Sequence, residues 1–236
     1  MTRKDIQAIL AEFIGTFAFV FIGSAAVWAT VQPGYGGGPL VPAFAHGLVV
    51  MFVAFSLGNV SGAFVNPAVT LSAALAGALP WLRAVLLIVA QVVAGVAAAF
   101  LLRLFLPQGA AANFGAFAYN PAATNAINAM FVELILTFFL AFVALEAAVK
   151  GKAGSLAPIG VGLTLTTLIL AGGAITGASL NPARSIGPAL AAGQLDQLWI
   201  YVLGPVLGAV LAAVVSTTVF AETKEPTPPK KPTGRR

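Results

Sequence analysis

The chain has 236 residues, 59% hydrophobic and 8% charged, against roughly a quarter charged in an ordinary soluble domain, so it belongs in lipid. With no cysteine and a single histidine, His46, disulfides, thiolate metal sites and multi-histidine metal sites are excluded, and no cofactor is expected. The formal net charge of +5 sits at the ends of apolar runs and in a basic tail, which is a pattern of membrane orientation and not of nucleic-acid binding.

The first apolar run, 6–28, follows Arg3 and Lys4. It is longer than a signal-peptide core and carries Glu12, so it reads as a span. Further spans fit 40–58, 80–102, 127–148, 156–173 and 197–220, since a hydrocarbon core of about 30 Å takes about 20 residues of helix. Two shorter apolar pieces remain, 67–77 and 182–192. At 1.5 Å per residue each is a helix of about 16 Å, long enough to dip into the bilayer and too short to cross it. The expected fold is an all-α membrane bundle of six transmembrane helices and two re-entrant half-helices. The channel domain is placed at 1–221, with repeats at about 5–105 and 125–221, and residues 222–236 are read as a disordered cytoplasmic tail rich in Pro and Lys.

Arg3, Lys4, Arg83, Lys150, Lys152 and the tail fall on one side of a six-span arrangement, and Arg103 and Arg184 on the other. Both termini are therefore expected in the cytoplasm. The two halves repeat: AEFIGTF (11–17) echoes VELILTF (132–138), SGAFVNPA (61–68) echoes TGASLNPA (176–183), and Gly95 answers Gly208. Three spans per half turn the second half upside down relative to the first, so the half-helices enter from opposite faces and meet near the middle.

Asn66-Pro67-Ala68 and Asn181-Pro182-Ala183 lie at that meeting point. Asn is a strong N-cap and Pro suits the first helical position. Two positive helix ends facing each other oppose cations and protons while leaving neutral solutes alone. Each Asn oxygen is expected to cap its helix and to leave the NH2 for a passing molecule. The non-helical lead-ins, Gly62, Ala63 and Phe64 in one half and Gly177 and Ser179 in the other, are expected to line the pore with carbonyls, which hydrocarbon does not satisfy. A third copy, Asn120-Pro121-Ala122, has neither lead-in nor half-helix and reads as a turn or as the cap of the helix after it.

On these two long motifs, SGAFVNPAVT and TGASLNPARS, the chain resembles the aquaporin and glyceroporin family of major intrinsic proteins over about residues 5–220. The resemblance implies tetramers with one pore per subunit. Many members carry His where this chain has Phe64, which leaves open how the first re-entrant loop is braced. Aligned from the two asparagines, the family's outer constriction falls on His46, Ile169, Ala178 and Arg184. Topology agrees: His46 is two turns below the outer end of its span, Ile169 one turn below its own, and Arg184 about 4.5 Å outward from Asn181. A permanent cation at this depth is functional by default. This set resembles the filters of some tonoplast intrinsic proteins of plants, with Arg184 and His46 expected to supply donors to solute.

Glu12 and Glu133 occupy equivalent places and are expected to accept hydrogen bonds from the re-entrant loops. Gly15, Gly95 and Gly208 are expected to permit close helix crossings. The function expected is passive conduction of water and small uncharged solutes (ammonia, hydrogen peroxide and, as a further candidate, urea) without enzymatic activity, in a prokaryotic inner membrane. Glycerol conduction is the alternative: Ser185 and Ala189 resemble the water-channel pattern, and Tyr201-Val202 departs from it. An ion-coupled secondary transporter is the rival class, with the two glutamates as its only candidate ligands.

Overall fold

The computed structural model describes residues 1–106 and 113–221; the expected tail, 222–236, lies outside the described residues. The elements are α1 (Arg3–Thr30), α2 (Leu40–Ser61), α3 (Pro67–Leu75), α4 (Trp81–Phe105), α5 (Ala126–Val143, continued by a π-helical turn, Ala144–Val149), α6 (Ala157–Thr176), α7 (Pro182–Ala192) and α8 (Leu198–Thr218). Six of them are long and apolar enough to cross a membrane. The two others, α3 with 9 residues and α7 with 11, are the half-helices.

Local chemistry sets the boundaries. Thr2 opens α1: its hydroxyl accepts from the Asp5 N–H at 3.3 Å while the Asp5 carboxylate accepts from the Thr2 N–H at 2.7 Å, a reciprocal capping box. The half-helices close alike. Gly77 and Gly193 adopt φ of +75° and +71°, and the next residue's N–H reaches back to Ala73 O and Ala189 O, each at 2.9 Å. This closure needs a residue free to turn left-handed, and it ends α3 two residues short of the span read from hydropathy. In the π turn after α5, Lys150 N donates to Leu145 O at 2.8 Å. The Lys150 ammonium donates to Glu146 Oε1, Ser216 O and Phe220 O at 2.7, 2.8 and 2.9 Å, which ties this turn to the end of α8.

The two halves pack in the same way, α1 against α2 and α4, and α5 against α6 and α8, with α2 on α6 joining them. Glycine lets backbones touch at the crossings. A Cβ on Gly95 would lie 2.5 Å from Ala183 O, and one on Gly208 would lie 2.2 Å from Leu134 O. α4 therefore lies directly against the first turn of α7, and α8 against α5. Leu10, Ile14, Phe44, Leu48, Phe52, Leu82 and Ile135 point outward and are exposed, as lipid-facing residues should be. Buried polar groups instead gather around the re-entrant loops.

Candidate functional site

The re-entrant loops run through conformations that L-residues avoid. Ala63 and Val65 have φ of +48° and +45°, and Ala178 and Leu180 have +51° and +56°, at a cost of about 1–3 kcal/mol each. The glutamates hold them there. Glu12, fully buried, accepts from Ser61 Oγ at 2.6 Å, Phe64 N at 3.0 Å, Val65 N at 2.7 Å and Gln91 Nε2 at 2.8 Å. Glu133 accepts from Thr176 Oγ1 at 2.7 Å, Ser179 N at 3.0 Å and Leu180 N at 2.8 Å. The halves differ at Gln91, which also bonds Thr70; in the second half Gly204 packs against the Glu133 Cβ.

At the midplane, Asn66 Oδ1 accepts from Ala68 N at 2.9 Å, and Asn181 Oδ1 accepts from Ala183 N at 3.0 Å and Arg184 N at 3.3 Å. The amide nitrogens are half engaged: Asn66 Nδ2 donates to Leu180 O and Asn181 Nδ2 to Val65 O, both at 2.8 Å. This corrects the expectation of a free NH2. Each Asn spends one N–H on the carbonyl that precedes the other Asn, which fixes the amide plane and leaves the second N–H without a protein partner among the described residues. The third copy makes the same local cap, Ala122 N to Asn120 Oδ1 at 3.0 Å, but only a turn follows it, and Asn125 caps α5.

On one side of the asparagines a cavity of about 620 Å³ opens, lined by Gly62, Ala63, Phe64, Asn66, Ser179 and Asn181 and by apolar walls from Phe19, Val50, Leu140, Ala148 and Leu165. Asn59 and Ser155, both exposed, also line it. Phe64, in place of the family's His, is half-buried, with its ring against Gly62 and against the apolar clusters on either side. The loop is braced by the Glu12 contacts to its backbone and not by that side chain.

On the other side Arg184, 2% exposed, binds in three directions: Nε donates to His46 Nε2 at 2.7 Å, and Nη1 donates to Ala178 O at 2.7 Å and Ser179 O at 3.0 Å. The His46 Nδ1 lies 2.6 Å from Pro42 O. A carbonyl only accepts, so Nδ1 carries the proton and Nε2 is the acceptor for Arg184. Both imidazole nitrogens are thus spent, and the expectation that His46 donates to solute is corrected; of the three guanidinium nitrogens of Arg184, Nη2 alone has no protein partner among the described residues. Ile169 and Ala178 belong to the same buried apolar cluster. Gly177 does not line the inner cavity; it lies under the Phe117 ring, where a Cβ would come within 2.5 Å.

Phe117 is the residue that sequence reasoning missed. Its ring centroid lies 4.3 Å from the Arg184 guanidinium carbon and 5.4 Å from the Tyr201 ring. The segment that carries it is tied to the second half by Asn120 N to Ile175 O at 2.8 Å and Tyr119 N to Gln197 Oε1 at 3.1 Å. Its sole trace in the sequence is an aromatic cluster, Phe114, Phe117 and Tyr119, in a segment otherwise built of small residues.

The model of the family described as major intrinsic protein matches residues 1–216. Among similar curated proteins, Aquaporin TIP1-2 of Zea mays is 42% identical over 223 residues, covering 91% of this chain and 86% of the relative. Aquaporin NIP1-3 of Oryza sativa subsp. japonica is 41% identical over 206 residues, covering 86% and 70%. Among solved structures, the aquaglyceroporin from Plasmodium falciparum shares the fold, with a TM-score of 0.79 over 92% of this chain and 97% of that one at 22% identity. A match across nearly the whole described length, joined to six spans and paired half-helices, has one reading: the chain belongs to the major intrinsic protein family and is a passive multi-pass membrane channel, not an enzyme.

Proposed function

We propose that the pore conducts water together with ammonia, hydrogen peroxide and urea, and that it excludes ions and protons. The observation that carries this is the reciprocal bond between the halves, Asn66 to Leu180 O and Asn181 to Val65 O. It presents one N–H from each half-helix start at the same depth, where both helix dipoles point positive ends inward. A water accepting both turns its own hydrogens away from its neighbours in the file, which interrupts a proton wire. Outward from there the constriction is assigned to His46, Ile169, Ala178 and Arg184, with Phe117 as a fifth wall. One side is apolar, and the donors come from Arg184 Nη2. Gly62, Ala63 and Phe64 line the inner cavity, and their carbonyls are assigned as its acceptors.

Stopped-flow light scattering on proteoliposomes tests the reading: water and urea should cross with low activation energy, ammonia should alkalinise the lumen, and a proton gradient should persist. Passage of water alone would remove the solute assignment, and proton leak would remove the exclusion. Glycerol conduction is the second reading, favoured by the small apolar wall that Ile169 and Ala178 provide; glycerol swelling in the same vesicles decides it. The channel domain is assigned to 1–221, both termini to the cytoplasm by the Lys and Arg bias, and assembly to a homotetramer that covers part of the exposed apolar faces. The expectation of a prokaryotic inner membrane gains no support from the plant relatives above.

A further inference from the structure

The imidazole of His46 occupies a space that α1 leaves open. Gly23 faces it, and a Cβ on Gly23 would lie 2.1 Å from His46 Nε2, 2.5 Å from Cδ2 and 2.7 Å from Cε1. The ring is 1% exposed. It is tethered at Nδ1 to Pro42 O and packed edge-on against Phe19, with centroids 5.2 Å apart. Arg184 reaches this recessed nitrogen with its Nε, and the rest of its guanidinium lies over Phe117. At the other glycine of α1, Gly15, a Cβ would also crowd its neighbours, lying 2.7 Å from Val53 Cγ1 and 2.8 Å from Val65 Cγ1, but these are aliphatic side chains and neither belongs to the constriction.

We infer that Gly23, a residue of the first span outside the four-residue constriction, is a specificity-determining positioning residue: it provides the recess that holds His46 and the bonded Arg184 back from the channel axis. A methyl at this position cannot coexist with the ring where it stands, because real Cβ atoms do not approach heavy atoms to 2.1 Å. Pro42 O and Phe19 block retreat within the α1–α2 crossing, so the imidazole moves away from α1, its bond with Arg184 breaks, and both groups narrow the pore. Small solutes suffer least and wide ones most. This inference rests on the pore and constriction assigned above.

The test is a cycle in proteoliposomes: wild type, Gly23→Ala, His46→Ala and Gly23→Ala/His46→Ala, each read for water and urea permeability and for thermal midpoint in detergent. Gly23→Ala is expected to lower the urea-to-water permeability ratio about tenfold, which is ~1.4 kcal/mol of barrier. In the His46→Ala background, where the ring is gone, the same substitution should leave the ratio unchanged. A Gly23→Ala chain that folds only when His46 is also truncated supports the same steric coupling. An equal shift in both backgrounds, or an unchanged ratio in the single variant, overturns the inference. A wild type that passes no urea instead overturns the solute assignment on which the inference rests.

Discussion

Replacing Glu12 by glutamine leaves volume and shape nearly unchanged and removes one acceptor from a site where four donors converge. The carboxylate receives Ser61 Oγ and Phe64 N on one oxygen and Val65 N and Gln91 Nε2 on the other. An amide keeps one oxygen. Whichever way it turns, either the Phe64 or the Val65 N–H faces an NH2 group, and either Ser61 or Gln91 must reverse. A buried donor left without an acceptor costs about 1–3 kcal/mol, and the forced reversal about 1 kcal/mol more. The two loop N–H bonds to the carboxylate return roughly 3–6 kcal/mol together. They hold Ala63 and Val65 at positive φ, which costs about 2–6 kcal/mol for the pair. With the two terms so nearly matched, the loss of one bond is enough to let the loop relax and carry Asn66 off its partner, Leu180 O. Expected are a lower thermal midpoint in detergent and a fall in water permeability per folded channel. Glu133→Gln, with three donors and no Gln91 counterpart, should show the smaller effect of the same kind. An unchanged midpoint and permeability for Glu12→Gln would refute the bracing argument. Uptake against a gradient, abolished by Glu133→Gln, would replace the passive channel with coupled transport.

Phe117→Ala should remove a cation–π contact of about 0.5–2 kcal/mol and widen the outer constriction, which a rise in urea permeability relative to water would register. Arg103 Nη1 donates to Ala191 O at 2.8 Å, at the end of α7; Arg103→Ala should therefore lower stability by about 0.3–1 kcal/mol and leave the solute ratio unchanged, as thermal unfolding beside stopped-flow flux will tell. Gly95→Ala places a methyl 2.5 Å from Ala183 O, and by forcing α4 from α7 it should reduce the yield of folded protein more than any of these substitutions. Asn120→Ala, at the third Asn-Pro-Ala, should leave permeability unaltered, since only a turn depends on it; a loss of flux there would undo the distinction drawn between the three copies.

The six spans, the two half-helices, the inverted repeat and the family were legible in the amino-acid sequence, because each depends on local or periodic properties: runs of apolar residues measured against bilayer thickness, Asn-Pro at a helix start, and motifs that recur between the halves. The sequence also placed Glu12 and Glu133 at equivalent positions. Local chemistry could go no further at the asparagines. Asn66, Asn120 and Asn181 all make the same side-chain cap two residues on, at 2.9 to 3.0 Å, and what separates two of them from the third is a carbonyl 114 or 116 residues away. The folded arrangement alone shows which amide N–H of each asparagine is taken by a carbonyl, that both His46 nitrogens are occupied, that Phe117 lies over Arg184, and that Gly23 faces the His46 ring. These depend on hydrogen-bond geometry and excluded volume between segments brought together by the inverted packing of the two halves, which no spacing along one chain encodes.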